Sequence, residues 1–321
     1  MGTMRRTYLP ILFVPAVLAL GVLYACSDDA TPSSPGTPDA SPTSTSTSTA
    51  TSTATNNPPT DSSVPDTGLD SGADTTQPFT PTDLGNKLVL WLDADRNYDI
   101  IDGGVLWKDQ SPEGNDAIQN TGARQPERFD GGSNDAGKRG AVRFSGNQYL
   151  EIADDPTLQW ADGDYAIYTV MRHNNHPEAG TNPYAIVYAK WIDTPPYTGP
   201  FLFANYPEDV LTGYVARVDD SREARTDGGL NDGTLRVIGA RKVGLNLEVR
   251  VNGAKQGEVD AGGFDASAFS AVGQKAYLGG RPAANFQALQ GDIAELIAIK
   301  GNVSDAQQSQ IEAYLKARHG L

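Results

Sequence analysis

Short apolar runs recur between residues 87 and 299, each bounded by Gly, Asn or Asp. Two of them, residues 87–92 (KLVLWL) and 293–299 (IAELIAI), are apolar on both faces of a strand. In the second, Ile293, Ile297 and Ile299 point one way by the two-residue period and Ala294, Leu296 and Ala298 the other, with Glu295 interrupting. Such strands belong in the middle of a sheet that is covered on both sides. Between them the pattern predicts strands at 105–108, 141–144, 148–152, 165–172, 184–191, 201–203, 211–218, 235–241, 247–251 and 276–278. Ser145-Gly146-Asn147 reads as a hairpin turn, and the strand at 247–251 runs into Asn252-Gly253. A dozen short strands at this spacing predict an all-β, antiparallel β-sandwich or barrel, with 87–92 and 293–299 paired at its centre. One helix follows: Ser304 with Gln307 three residues on is a capping-box start, Ile311, Tyr314 and Leu315 share a face, and Gly320 stops it.

The pattern is different before residue 83. Arg5 and Arg6 precede an apolar stretch over residues 8–25 that ends in Leu23-Tyr24-Ala25-Cys26, so residues 1–26 read as a secretion signal. The last four residues resemble the bacterial lipobox. That resemblance implies removal of the signal and acylation of Cys26, which would anchor the chain to a membrane at about 0.8 kcal/mol per buried CH₂. Ser27 after it implies sorting to the outer membrane of the cell envelope. The alternative is an uncleaved membrane anchor, which Pro10 and Pro15 suit poorly. Residues 27–82 are Ser, Thr, Pro, Ala and Asp with seven acids and no Lys or Arg, a composition that predicts a disordered tether. Residues 83–321 remain for the folded domain.

Cys26 is the only cysteine, which excludes disulfides, zinc–thiolate sites and a cysteine nucleophile downstream of it. The whole chain carries 25 Lys and Arg against 40 Asp and Glu, net −15. Without the tether's seven acids and the two arginines of the leader, the folded part keeps 33 acids and 23 bases, net −10. That balance argues against nucleic acid and anionic lipid as partners.

Several segments, taken in order, resemble one family. Leu90-Trp91-Leu92-Asp93-Ala94, Trp107-Lys108-Asp109-Gln110-Ser111 and Gly114-Asn115-Asp116-Ala117 are similar to the opening of LamG-like domains. Val142-Arg143-Phe144-Ser145-Gly146 with Tyr149-Leu150, then Val251-Asn252-Gly253, are similar to later hairpins. Leu278-Gly279-Gly280-Arg281, Phe286, Gly291-Asp292-Ile293-Ala294-Glu295 and the helix to His319-Gly320-Leu321 are similar to the closing strand and helix. The resemblance covers residues 84–321. It implies the jelly roll of the concanavalin A-like lectin/glucanase superfamily. The loop Ser111-Pro112-Glu113-Gly114-Asn115 departs from the family's usual Ser-Gly-Asn-Gly-Asn form.

The superfamily includes glycoside hydrolases, whose retaining members need two carboxylates about 5 Å apart. The strand motif Glu-x-Asp-x-Glu of its glucanases is absent, and Asp292 and Glu295 fall on opposite faces by strand alternation. Glu295 is expected to hydrogen-bond within the sandwich, as the family's residue does, and no Ser/His/Asp arrangement emerges from His173, His176 and His319. A non-catalytic domain is expected. Asp93, Asp95, Asn97 and Asp99 place oxygens at every second position, as calcium loops do, and related domains hold calcium at the sandwich rim. The alternative is a polar loop with an Asx turn, and Tyr98 and Gly104 break the EF-hand frame. His173 and His176 are expected in a solvent-exposed loop.

Residues 191–209 (WIDTPPYTGPFLFANYPED) form the densest aromatic stretch of the folded part. Trp191, Tyr197 and Tyr206 beside Asp193, Asn205 and Glu208 combine ring platforms with hydrogen-bonding groups, which is what sugar recognition requires. Prolines 195, 196 and 200 would stiffen the stretch and lower the ordering cost of binding. Phe201 and Phe203 alternate like core residues, and Trp191, at a strand end, also suits packing. Trp91, Trp107 and Trp160 are assigned to the core. The sum is a membrane-anchored lipoprotein displaying a binding domain for glycan or a cell-surface protein. A polysaccharide-active hydrolase or lyase and a structural envelope protein are the rival readings.

Overall fold

The computed structural model describes residues 78–130, 139–160, 163–174, 184–190, 199–205, 210–217, 220–260, 271–282 and 288–321. The strands in chain order are β1 (Leu88–Asp93), β2 (Tyr98–Ile101), β3 (Gly104–Trp107), β4 (Ala117–Gln119), β5 (Glu127–Asp130), β6 (Gly140–Ser145), β7 (Leu150–Ile152), β8 (Tyr165–His173) and β9 (Tyr184–Lys190). They continue with β10 (Gly199–Asn205), β11 (Val210–Arg217), β12 (Asp220–Arg225), β13 (Arg236–Val243), β14 (Asn246–Val251), β15 (Ala254–Asp260), β16 (Ala276–Leu278) and β17 (Gln290–Lys300), before helix α1 (Asp305–His319). Two antiparallel sheets form a sandwich. One runs β15-β14-β13-β8-β17-β6-β5 with β1 also on β17, and the other runs β12-β11-β10-β9-β16-β7-β4-β3-β2.

β17 occupies the centre that its two apolar faces require. It pairs with β8 along one edge, and its other edge is shared by β6 (residues 290–293) and β1 (residues 295–299). The expected pairing of the first and last strands is therefore present. Its alternation is corrected in one respect. Ile293, Leu296 and Ala298 face the other sheet, while Ala294, Ile297 and Ile299 face the helix. The cause is a bulge between Ile293 and Glu295, which inserts one residue and reverses the phase of everything before it.

The inter-sheet core joins Leu90, Leu92, Trp107, Phe144, Ile152, Trp160, Ile167, Tyr188, Leu202 and Leu296 among others. A second core, with Leu88, Trp91, Tyr168, Val170, Ile297, Ile311 and Leu315, lies between the eight-stranded sheet and α1. The helix begins as the capping box dictates: Gln307 N–H donates to Ser304 Oγ at 3.2 Å and Ser304 N–H to Gln307 Oε1 at 3.2 Å. It ends at Gly320, whose φ of 67° is left-handed. Phe79 packs edge-on to Tyr314 of α1.

Several local expectations change. Ser145-Gly146-Asn147 is not a hairpin: β6 and β7 belong to different sheets, and the turn is an arch between them. Asn252-Gly253 does close a hairpin, β14 to β15, with φ of 49° and 85°. In β10 it is Leu202 and Ala204 that enter the inter-sheet core, whereas Phe203 packs on Ile186 and Ala189 on the sheet's other face. The unusual loop after Trp107 is organised by Asp109, whose buried carboxylate accepts from the backbone N–H groups of Trp91, Ser111 and Asn115 at 2.7–2.8 Å.

The sandwich is closed at one lateral end. There β12 and β15, terminal strands of their sheets, approach so closely that a Cβ at Gly257 would fall 2.0 Å from the Arg225 carbonyl oxygen. Arg222 Nε bridges the two strands to the Asp260 carbonyl at 3.1 Å.

Candidate functional site

The pairing of β1 with β17 sets Asp93 directly opposite Glu295. Cross-strand neighbours have Cβ atoms about 5 Å apart, so two carboxylates meet at the centre of the molecule on the helix-facing side. Both are almost wholly buried, at 1% and 0% exposure. Glu295 Oε1 accepts from Trp91 Nε1 at 2.8 Å and from the Tyr314 hydroxyl at 3.0 Å. Its Oε2 lies 2.9 Å from His319 Nε2 and 3.2 Å from Arg318 Nε. Arg318 also donates to Asp93 Oδ2, which Arg96 Nε approaches at 3.4 Å.

Burial, and then the charge of Glu295, raises the pKa of Asp93, while Arg318 works against that rise. Tyr314 is likewise raised, by burial first and by Glu295 next. Such a pair of carboxylates is what glycoside hydrolysis uses, and strand counting alone missed it. Asp93 and Glu295 are 202 positions apart in the sequence, so only their pairing brings them together. Yet every oxygen of Glu295 is engaged, and α1 lies over it. Above the network, a groove of 700 Å³ is lined by Phe79, Trp91, Arg96, Arg139, Tyr314 and Arg318 with neighbouring residues. Arg96 lies over the Trp91 ring, 5.5 Å from its centroid.

Asp292, the other tempting acid, is on the same outward face as Glu295, not the opposite one, because of the bulge. It is fully buried and sits between two arginines directly opposite it, Arg143 on β6 and Arg172 on β8. Arg143 donates to it at 2.7 and 3.0 Å and Arg172 at 2.6 Å, and Arg143 stacks on Phe129 at 3.5 Å from the ring centroid. This is an ion trio that joins three strands.

The expected calcium ligands are dispersed. Asp93 Oδ1 accepts from Asp95 N–H in an Asx turn at 3.0 Å, and its Oδ2 serves the arginines. Asp95 accepts from Arg139 Nη1 at 3.1 Å and from Gly140 N–H. Asn97 takes a left-handed turn with φ of 64°, and Asp99 is exposed on β2, opposite Leu106. Among the described residues no three His, Cys, Asp or Glu side chains gather where they would hold a metal ion. His173 is not in an exposed loop: it ends β8 at 1% exposure, and burial followed by Arg236 lowers its pKa to about 4. His176 lies outside the described residues.

Of the expected ligand-binding residues, Trp191, Asp193, Tyr197 and Tyr206 lie outside the described residues, as do Glu208 and Cys26. Asn205 ends β10, with its backbone paired to Tyr184 and Val210. Residues 191–198 and 206–209 attach to opposite ends of β10. β10 belongs to the nine-stranded sheet, whose outward face no described helix covers. On that face Leu106, Ile118, Glu151, Tyr277 and Ala189 form one cross-strand row. Tyr277 stands edge-on to Tyr149 at 6.3 Å, Lys275 pairs with Glu151, and Ile118 is 37% exposed. A ring, an exposed aliphatic group and a paired acid and base thus share one surface.

Likeness in fold extends to known proteins. The structure of the binding domain of Paraclostridial Mosquitocidal Protein 1 superposes with a TM-score of 0.52 at 12% identity, over 73% of this chain and 53% of that one. The Botulinum Neurotoxin serotype G binding domain superposes with a TM-score of 0.50 at 11% identity, over 72% of this chain and 51% of that one. The chain thus spans about half the length of these structures. No protein-family model matches the chain, and no curated protein matches it in sequence.

Proposed function

We propose that the β-sandwich is a non-catalytic, LamG-like binding domain for carbohydrate, displayed from the cell envelope by a lipid on Cys26. The observation that carries the binding role is the fold, a two-sheet sandwich shared with two proteins described as binding domains. Binding in place of hydrolysis is supported by the state of its carboxylates. Asp93 and Glu295 are cross-strand neighbours, but they are buried beneath α1 and held by Trp91, Tyr314, Arg318 and His319. The outward face of the nine-stranded sheet around Tyr277, Tyr149 and Ile118 is the surface we assign to the glycan. It continues onto β9 and β10, the strands next in sequence to residues 191–198 and 206–209, and Tyr197 and Tyr206 are the further ligand-binding residues of this reading.

A polysaccharide array probed with residues 70–321 tests this reading. Retention of one or more glycans, weakened by Tyr277→Ala, is the expected result. Release of shortened saccharide from a retained glycan would overturn the non-catalytic role. No retention at all would favour a cell-surface protein or a structural part in the envelope. The anchor is tested separately: radiolabelled palmitate should enter the full chain in a bacterial host and should not enter the Cys26→Ser variant.

A further inference from the structure

The lateral end opposite to β12 and β15 is open. There β2 and β5 end their sheets and leave a groove of 520 Å³ between them, lined by Tyr98, Ile100, Val105, Pro126, Glu127 and Arg128 among others. The Tyr98 hydroxyl donates to the Pro126 carbonyl at 2.6 Å across it. Ile100 stands directly opposite Val105, a member of the inter-sheet core, so by cross-strand geometry it points into that same layer. Nevertheless it is 87% exposed, and Ile101 beside it is 39% exposed. An inward position of a sandwich is normally covered, and among the described residues nothing covers this one.

The two open edges are defended unequally. β5 carries Glu127, Arg128 and Asp130 and is preceded by Pro126, the devices that discourage strand addition. β2 carries two isoleucines, and among the described strands it is paired on one side only, by β3. The outer N–H and C=O groups of its backbone therefore form a template for another strand. The charges around it select the guest. Asp99 points to the outward face opposite Leu106, Asp102 follows in the turn, and Glu127 is exposed across the groove. Arg128 is drawn to Asp95 and Asp130, at 3.7 and 3.6 Å.

We propose that β2 accepts an extended segment of another protein as an added strand. The guest would have apolar side chains at alternate positions, lying on Ile100 and in the groove, with Lys or Arg between them on the face of Asp99. A second copy of this chain is the poorer guest, because it would bring its own Asp99 and Asp102 to the same edge. The free edge of β2 borders the face assigned to carbohydrate, since Asp99 continues the row of Leu106 and Ile118, but strand addition is read with peptides alone and stands or falls without any glycan.

The full chain would be titrated against fluorescent octapeptides by anisotropy: alternating valine–lysine, alternating valine–glutamate, and valine–lysine of equal composition in blocks. Saturable binding of the alternating valine–lysine peptide alone is expected, lost when its alternate amides are N-methylated. Covering Ile100 is worth enough that Ile100→Lys should weaken binding about tenfold or more. Asp99→Lys should weaken it too and reduce its salt dependence. Both positions are exposed, so melting temperatures should hold, and Leu245→Lys, at an exposed residue in another turn, should change nothing. Equal binding by all three peptides, no binding at millimolar peptide, or undiminished binding by Ile100→Lys would each overturn the proposal. So would a dimer in sedimentation that the same substitution dissolves, since the guest would then be a second copy.

Discussion

The buried network around Glu295 makes a quantitative demand on stability. Glu295→Gln keeps the shape of the side chain but removes its charge and replaces one acceptor with an NH₂ donor. Four donor-bearing groups converge on that carboxylate, Trp91 Nε1 at 2.8 Å, His319 Nε2 at 2.9 Å, Tyr314 hydroxyl at 3.0 Å and Arg318 Nε at 3.2 Å. At least one of them must therefore face a donor. Among the described residues Arg318, 12% exposed, then keeps only Asp93 in a close ion pair. Removing one member of a buried ion pair costs about 3–5 kcal/mol. At roughly 2–4 °C per kcal/mol for a domain of this size, melting should fall by roughly 6–20 °C. Differential scanning calorimetry of residues 70–321 at neutral pH measures it directly. A fall of under about 2 °C would mean that the network does not hold α1 on the sheet.

Other consequences are equally open to measurement. His173 is lowered from 6.5 to about 4 by burial and by Arg236. Between those values the unfolded chain binds a proton that the folded one does not, so stability should decline as pH falls through that window. The decline is on the order of 3 kcal/mol, and urea titrations of His173→Gln should lack this part of the slope. Gly257→Ala should force β12 away from β15 and lower the urea midpoint, since its Cβ would meet the Arg225 carbonyl at 2.0 Å. Phe144 meets a Cβ at Gly279 at 2.0 Å as well, and φ there is +72°, so Gly279→Ala should destabilise by at least as much. Melting curves in millimolar calcium and in chelator should coincide, because Asp93 and Asp95 already hold arginines; a shift of several degrees would refute that.

What was legible in the chain was what apolar alternation records. β1, β8 and β17 lie in central or fully covered positions, and their apolar runs announced them. The capping box at Ser304 and the Asn252-Gly253 turn were equally plain, because each is written in adjacent residues. The strands that escaped notice are polar or short. β12 (DSREAR) and β15 (AKQGEVD) end their sheets, and β2 lay hidden in a run of Asp and Asn that suggested a cation loop. An edge strand needs no apolar face, so alternation has nothing to report. The bulge before Glu295 left no local mark either, and with it went the placement of Asp292 beside Arg143 and Arg172. For the site, composition pointed to aromatic residues in one stretch, whereas the opposition of Asp93 to Glu295 is a product of pairing between distant strands.

The position of β17 also governs when this chain acquires its shape. β1, β6 and β8 each take their central partner from residues 290–300, about 200 positions downstream of β1. Until that segment has been synthesised, the eight-stranded sheet is a set of pieces lacking the strand that joins them. Contacts of such separation make folding slow. A nascent chain would thus stay open through most of its synthesis, and a stop codon a few dozen residues early would cost it the whole domain, not merely the helix.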